Sequence, residues 1–144
     1  MDNKYGLGSD KVSSEIHDRH QKAASWWKDC MLGGEEIGLA TVVIFGFVRL
    51  STHPRVFQTP LTFAEASARV ESWLKQPHVR VIDPSPQHVS DVLSLLNAVG
   101  TAGNLTTDAQ IAALAKQEKA ALHSNDTDFL RFPSLIYHNP LNPF

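Results

Sequence analysis

The chain has 144 residues, enough for one compact domain with a real core, and its 42% apolar content is that of an ordinary globular protein. Thirteen Lys and Arg against fifteen Asp and Glu leave a net charge of −2, so no global basic excess advertises nucleic-acid binding and any such contact has to come from a local patch. A single cysteine, Cys30, excludes an intrachain disulfide and suits a reducing cytoplasm. The longest apolar run, residues 40–48, is too short to span a bilayer, and the polar, glycine-containing opening is no secretory signal.

Residues 1–12 form a poorly patterned N-terminus, and residues 13–144 read as one domain. Ser14 is placed to cap a helix reaching about Met31, with Ile16, His20, Ala23, Trp27 and Cys30 or Met31 on one face, and Gly33-Gly34 stops it. His17 and His20 stand one turn apart, a spacing zinc can use, but no third ligand is placed by sequence and an exposed helical face is the plainer account. Cys30 lies in no nucleophile motif and reads as a packed or half-exposed thiol. Ile37-Gly38-Leu39 is a short strand. Residues 41–50 are ambiguous, their β-branched content favouring a strand and their length allowing a buried helix.

A loop follows at residues 51–60. Thr62-Phe63-Ala64-Glu65 is a capping box opening a helix with Phe63, Ala66, Val70, Trp73 and Leu74 inward. Residues 79–82 read as a strand ended by Asp83-Pro84. Residues 86–99 read as a helix with Val89, Val92, Leu93, Leu96 and Val99 as its core stripe, closed by Gly100. A helix at about 107–119, a strand at 121–124 and a last short strand at 135–137 complete the chain. Strands alternating with helices predict an α/β sheet sandwiched between helices.

Chemistry concentrates in Gly103-Asn104-Leu105-Thr106-Thr107-Asp108-Ala109 and Ser124-Asn125-Asp126-Thr127-Asp128-Phe129. The first opens a helix with a carboxylate, and the second ends a strand with two. The intervening helix travels about 18 Å, and the strand runs back at roughly 3.3 Å per residue. Asp126 therefore returns close to the level of Asp108, at the edge where open α/β sheets hold ligands. Clustered carboxylates there suit a hard divalent cation. A plainer account serves each residue as well: Thr107 as an N-cap with an Asp in the first turn, and Ser-Asn-Asp-Thr-Asp as ordinary turn chemistry.

The segment from Gly103 to Ala115 resembles the third acidic block of PIN-domain ribonucleases, and most of all the VapC-type toxins of bacterial toxin–antitoxin pairs. Leu122-His123-Ser124-Asn125-Asp126-Thr127-Asp128-Phe129 with Arg131-Phe132-Pro133 resembles the next block. Gly46-Phe47-Val48-Arg49-Leu50 with His53-Pro54-Arg55-Val56-Phe57 is similar to a middle segment, and Ser14-Glu15-Ile16-His17 and Trp26-Trp27 to the first helix. The likeness covers roughly residues 12–143.

The resemblance implies an α/β protein with a three-layer α/β/α PIN-like fold and a mainly parallel sheet, in which residues 41–50 are helical. It implies a magnesium-dependent endoribonuclease, with manganese as a substitute, that forms a homodimer and is neutralised by a small antitoxin whose tail fills the acidic crevice. Asp108 falls on the third acidic position and Asp126 on the fourth, with Asp128 nearby. In that role Asp108 and Asp126 bind magnesium and position the attacking water, and Asp128 assists. Asn104 and Thr107 are candidate supporting donors as well as caps. Arg49, Arg55 and Lys11 are candidate contacts to RNA phosphates, with a buried ion pair the alternative for Arg49. Trp26 and Trp27 could stack bases, although Trp27 suits the core and Trp26 an interface.

Two departures qualify the resemblance. The family opens with an apolar strand carrying Asp-x-Asn, whereas Asp2 to Asp10 has neither feature, and Gly46 stands where some relatives carry Glu. The cluster is thereby reduced to Asp108, Asp126 and Asp128, and the neighbours of that strand lose ladder hydrogen bonds. This predicts either a start further upstream or a decayed copy. The alternative to an active nuclease is accordingly a catalytically impaired PIN-like module that retains dimerisation or antitoxin binding.

Overall fold

The computed structural model describes the backbone of residues 10–141 and the side chains of residues 21–141. The elements are α1 (Asp10–Leu32), β1 (Ile37–Leu39), α2 (Thr41–Ser51), α3 (Phe63–Leu74), β2 (Val79–Val81), α4 (His88–Val99), α5 (Thr106–Gln117), β3 (Leu122–His123) and β4 (Tyr137–His138). Short 3₁₀ helices at Gly103–Leu105 and Thr127–Arg131 flank α5 and β3. Helix α1 starts ahead of Ser14, which is therefore an internal residue and not the cap. The expectations for Lys11, Ile16, His17 and His20 concern side chains outside the described residues.

Residues 41–50 are helical, as the resemblance implied. The chain turns at Ala40, whose carbonyl accepts the N–H groups of both Val43 and Ile44. Ile44 then packs with Leu39 and Val79, and Val42 and Val43 pack beside Ala40, Ile82 and Leu114. Tertiary burial thus overrides β-branched propensity. Helix α3 has its capping box: the Thr62 hydroxyl accepts the Glu65 N–H at 3.1 Å, and a Glu65 carboxylate oxygen accepts the Thr62 N–H at 3.0 Å.

Two inward stripes need correction. Phe63 is 72% exposed, because a first-turn side chain tilts back past the helix end and overshoots the core, and Leu74 in the last turn is exposed as well, while Ala66 is fully buried. In α4, Val89 and Leu93 are 71% and 61% exposed. The covered stripe is Val92, Leu95, Leu96 and Val99, which meets the small residues Ala109, Ala112 and Ala113 of α5. Strand β4 also lies later than expected, at residues 137–138, since its partner β3 is only two residues long and pairs Leu122 with Tyr137 and His123 with His138.

The strands form two parallel two-stranded ladders, β1–β2 and β3–β4. Helices α1 and α5 span both. Trp27 of α1 joins the cluster of Leu39, Ile44 and Val79, while its neighbour Trp26 meets His123 of β3. Leu114 of α5 packs on Ala40 and Ile82, while Ala112, Ala113 and Ala115 pack with Leu122. Helices α1 and α5 thus pack against both ladders, the kind of helical cover that parallel strands call for. Gln117 pins the far end of α5 to the loop after β2, donating to the Asp83 carbonyl and accepting the Ser85 N–H, both at 2.8 Å.

Ile37 and Leu39 turn their peptide groups to β2, so Gly38 turns away from it. Leu122 and Ser124 bond toward β4, so His123 turns away from that strand. Among the described residues no strand precedes α1, and the edges that carry Gly38 and His123 have no ladder partner.

Candidate metal centre

Asp108 is the third residue of α5, and only 6% of it is exposed. The chain enters α5 through the 3₁₀ helix Gly103–Leu105, where Gly103 takes a left-handed φ of 55° that disfavours a side chain. Leu105 stands at the N-cap and no side chain caps α5, so Thr107 is not the cap expected of it. A carboxylate in the first turn is favoured by the unpaired N–H groups at a helix start.

Asp126 caps the 3₁₀ helix Thr127–Arg131. Its Oδ1 accepts the Asp128 N–H at 2.9 Å, and its own N–H donates to the Ser124 hydroxyl at 3.1 Å. Ser124 is buried and is fixed in turn by its N–H to the His138 carbonyl at 3.0 Å. Asn139 donates to the side-chain oxygen of Asn125 at 3.1 Å, tying the loop after β3 to the one after β4. The turn chemistry read from the sequence is real, and it is also what aims the carboxylates.

Asp108, Asp126 and Asp128 come together: one carboxylate oxygen from each lies within 4.8 Å of the others. Asp108 is buried and the other two are half-buried. Charges at that separation repel by on the order of 3 kcal/mol per pair at an effective dielectric of about 20. A divalent cation turns the repulsion into attraction. An all-carboxylate donor set with open positions fits a hard cation that keeps some of its water. Tyr137 borders the cluster, its phenol pushed up by burial and by the Asp126 charge.

The remaining expected residues are not part of the carboxylate group. Asn104 and Thr107 are exposed, and neither makes a side-chain hydrogen bond among the described residues. Arg49 is exposed in the last turn of α2 with no ion partner among the described residues, which overturns the buried pairing considered for it. Arg55 is exposed and Cys30 is half-exposed, its thiol pushed up by burial and by Asp29 and Glu35. Sequence reasoning missed Ser124, Asn139 and Tyr137 as supports. Their roles arise from pairing between β3 and β4, which no local pattern announces.

The family model of the PIN domain matches residues 12–135. Ribonuclease VapC33 of Mycobacterium tuberculosis is 44% identical over 123 residues, covering 85% of this chain and 86% of that protein. Ribonuclease VapC37 of the same organism is 33% identical over 123 residues, covering 85% of each. A solved structure of VapBC2 from Rickettsia felis, bound to a DNA fragment from the promoter, is similar in fold. Its TM-score is 0.60 at 20% identity, over 86% of this chain and 91% of that one. No described helix is long and apolar enough to cross a membrane. With the family pattern running through most of its length, the chain belongs to the PIN-domain family, in its VapC group.

Proposed function

We propose that this chain is a magnesium-dependent endoribonuclease toxin acting in the cytoplasm and neutralised by a small cognate antitoxin. The observation that carries the reading is the meeting of Asp108, Asp126 and Asp128 within 4.8 Å at the start of α5 and the end of β3. Asp108 and Asp126 hold Mg2+, with Mn2+ as a substitute, and Asp128 assists. The bound cation supplies Lewis-acid stabilisation and lowers the pKa of a coordinated water.

The chain's own residues supply placement. The first turn of α5 fixes Asp108, Ser124 and the Asp128 N–H fix Asp126, so that these two would position the attacking water with half-buried Asp128 assisting. Arg49, exposed and unpaired among the described residues, contacts a phosphate of the RNA, and Asn104 and Thr107 add hydrogen bonds to the strand. The protein works as a homodimer, and the antitoxin tail occupies the same acidic crevice.

A second reading, a PIN-like module without turnover, rests on the cluster holding three carboxylates among the described residues. One experiment separates the two. Single-stranded RNA is incubated with the full chain in magnesium, in EDTA, and with the Asp108→Asn variant. Cleavage that requires magnesium and falls at least about 100-fold in the variant is expected. A folded chain that leaves RNA intact in both Mg2+ and Mn2+ sinks the nuclease reading in favour of the module.

A further inference from the structure

Three rings, one from α1 and one from each strand of the β3–β4 ladder, stack on one another. The Trp26 ring lies 5.5 Å from that of His123 at 28°, and His123 lies 5.4 Å from His138 at 20°. These are offset-stacking separations. The parallel register of β3 and β4 sets the histidines side by side. Trp26 is aimed at them because Trp27, next in the chain, is drawn the other way to pack edge-on against Trp73 at 5.2 Å.

Core formation does not account for the stack. Both histidines are exposed residues and Trp26 is half-exposed. The His123 ring is held below the usual imidazole range by partial burial and by His138, with Glu35 opposing, so it is uncharged at neutral pH. The same two strands lead into the acidic turn. Asp126 follows His123 by three residues, at most roughly 10 Å of extended chain, and Asn139 follows His138 and bonds Asn125. Lys22 stands one turn ahead of Trp26, and both border a shallow depression with Ser25 and Pro140.

We propose that Trp26, His123 and His138 form a stacking platform for an unpaired base of the RNA strand whose backbone passes Asp108, Asp126 and Asp128. The inference rests on the nuclease reading for its ligand. A base continues the ring stack at the exposed His138 end while the adjoining phosphate reaches the carboxylates. Every base has a π-face, so the platform selects unpaired over paired nucleotides and tolerates sequence. Duplex RNA, with its bases already stacked inside, gains nothing from it.

The test is fluorescence anisotropy with a labelled single-stranded RNA, its duplex, and a strand of the same charge with abasic positions, all in EDTA. The full chain is compared with Asp108→Asn, Trp26→Ala, His138→Ala and His138→Phe, and RNA cleavage in magnesium is assayed in parallel. Losing one stacking partner should weaken single-strand binding on the order of tenfold. His138→Ala and Trp26→Ala should show that loss, His138→Phe should restore binding, and the abasic strand should bind the parent as weakly as the normal strand binds His138→Ala. Exposed His138 keeps the test independent of whether Trp26→Ala folds. A parent that cleaves RNA but whose affinity is unchanged by His138→Ala, or is not restored by His138→Phe, overturns the platform and leaves the nuclease reading intact. Stacking-dependent binding without cleavage supports the platform and overturns the nuclease. A parent that binds no RNA in EDTA overturns the platform, and one that also cleaves none in magnesium overturns both.

Discussion

Asp126 carries two roles that substitution can separate. Its side chain closes the turn by accepting the Asp128 N–H, and it places a charge beside Asp108 and Asp128. Asn keeps the accepting oxygen and removes the charge. Asp126→Asn relieves repulsion with Asp108 and Asp128, so it is expected to raise the melting temperature without added cation and to abolish the further rise with magnesium, read by differential scanning calorimetry. Ser124→Ala removes the buried acceptor of the Asp126 N–H. The expected cost is about 1 kcal/mol in urea unfolding, with weaker magnesium binding by titration calorimetry. Parent-like values for both quantities would show that Ser124 does not fix the turn. At His123 the sign follows from a folded-state pKa below the unfolded 6.5, through burial and His138. The unfolded chain then binds more protons, so stability is complete above about pH 6.5 and declines as pH falls from there toward the folded-state pKa. His123→Leu should flatten that decline in stability measured against pH.

At the scale of elements, the two ladders are short and their inner edges carry peptide groups with no partner among the described residues. The Gly38 and His123 amides should exchange with deuterium far faster than those of Ile37 and Ser124, which donate to His78 and His138. Equal protection would mean that another segment pairs these edges. Gly38 also lies under Ile82: a Cβ there would sit 2.5 Å from the Ile82 Cδ1 and 2.8 Å from its Cγ1. Gly38→Ala should destabilise by about 1–3 kcal/mol, and Ile82→Val, which removes the Cδ1 methyl, should recover part of that loss. Additive effects of the two changes in chemical unfolding would contradict the close approach.

For the whole molecule, cation binding and folding are linked because the carboxylates come from segments that meet only in the folded chain. If the cluster takes the proposed magnesium, a concentration of about 100 times the Kd should stabilise by about 2.7 kcal/mol, and Asp108→Asn should cancel that gain. Much of this was legible in the sequence. The capping box of α3, the strand Ile37–Leu39 and the return of Asp126 to Asp108 depend on local spacing and on element lengths, which geometry converts directly into position. The resemblance supplied the helical state of residues 41–50, which periodicity left open. Which α4 stripe is covered was not legible, because periodicity marks apolar positions without saying which neighbour arrives: Val89 and Leu93 satisfy the pattern yet face away from the alanines of α5.

The sequence by itself determined the constituents of the centre. A carboxylate in the first turn of a helix and two more in an Asx-type turn are set by backbone chemistry within a few residues. Only the tertiary structure decided how they are held and what stands beside them. The Ser124 and Asn139 supports and the Trp26–His123–His138 stack depend on the register of β3 with β4 and on the splitting of adjacent tryptophans between two ladders. Such pairings join residues far apart in the chain, where loop closure and competition for buried space choose the partner and no local propensity records the choice.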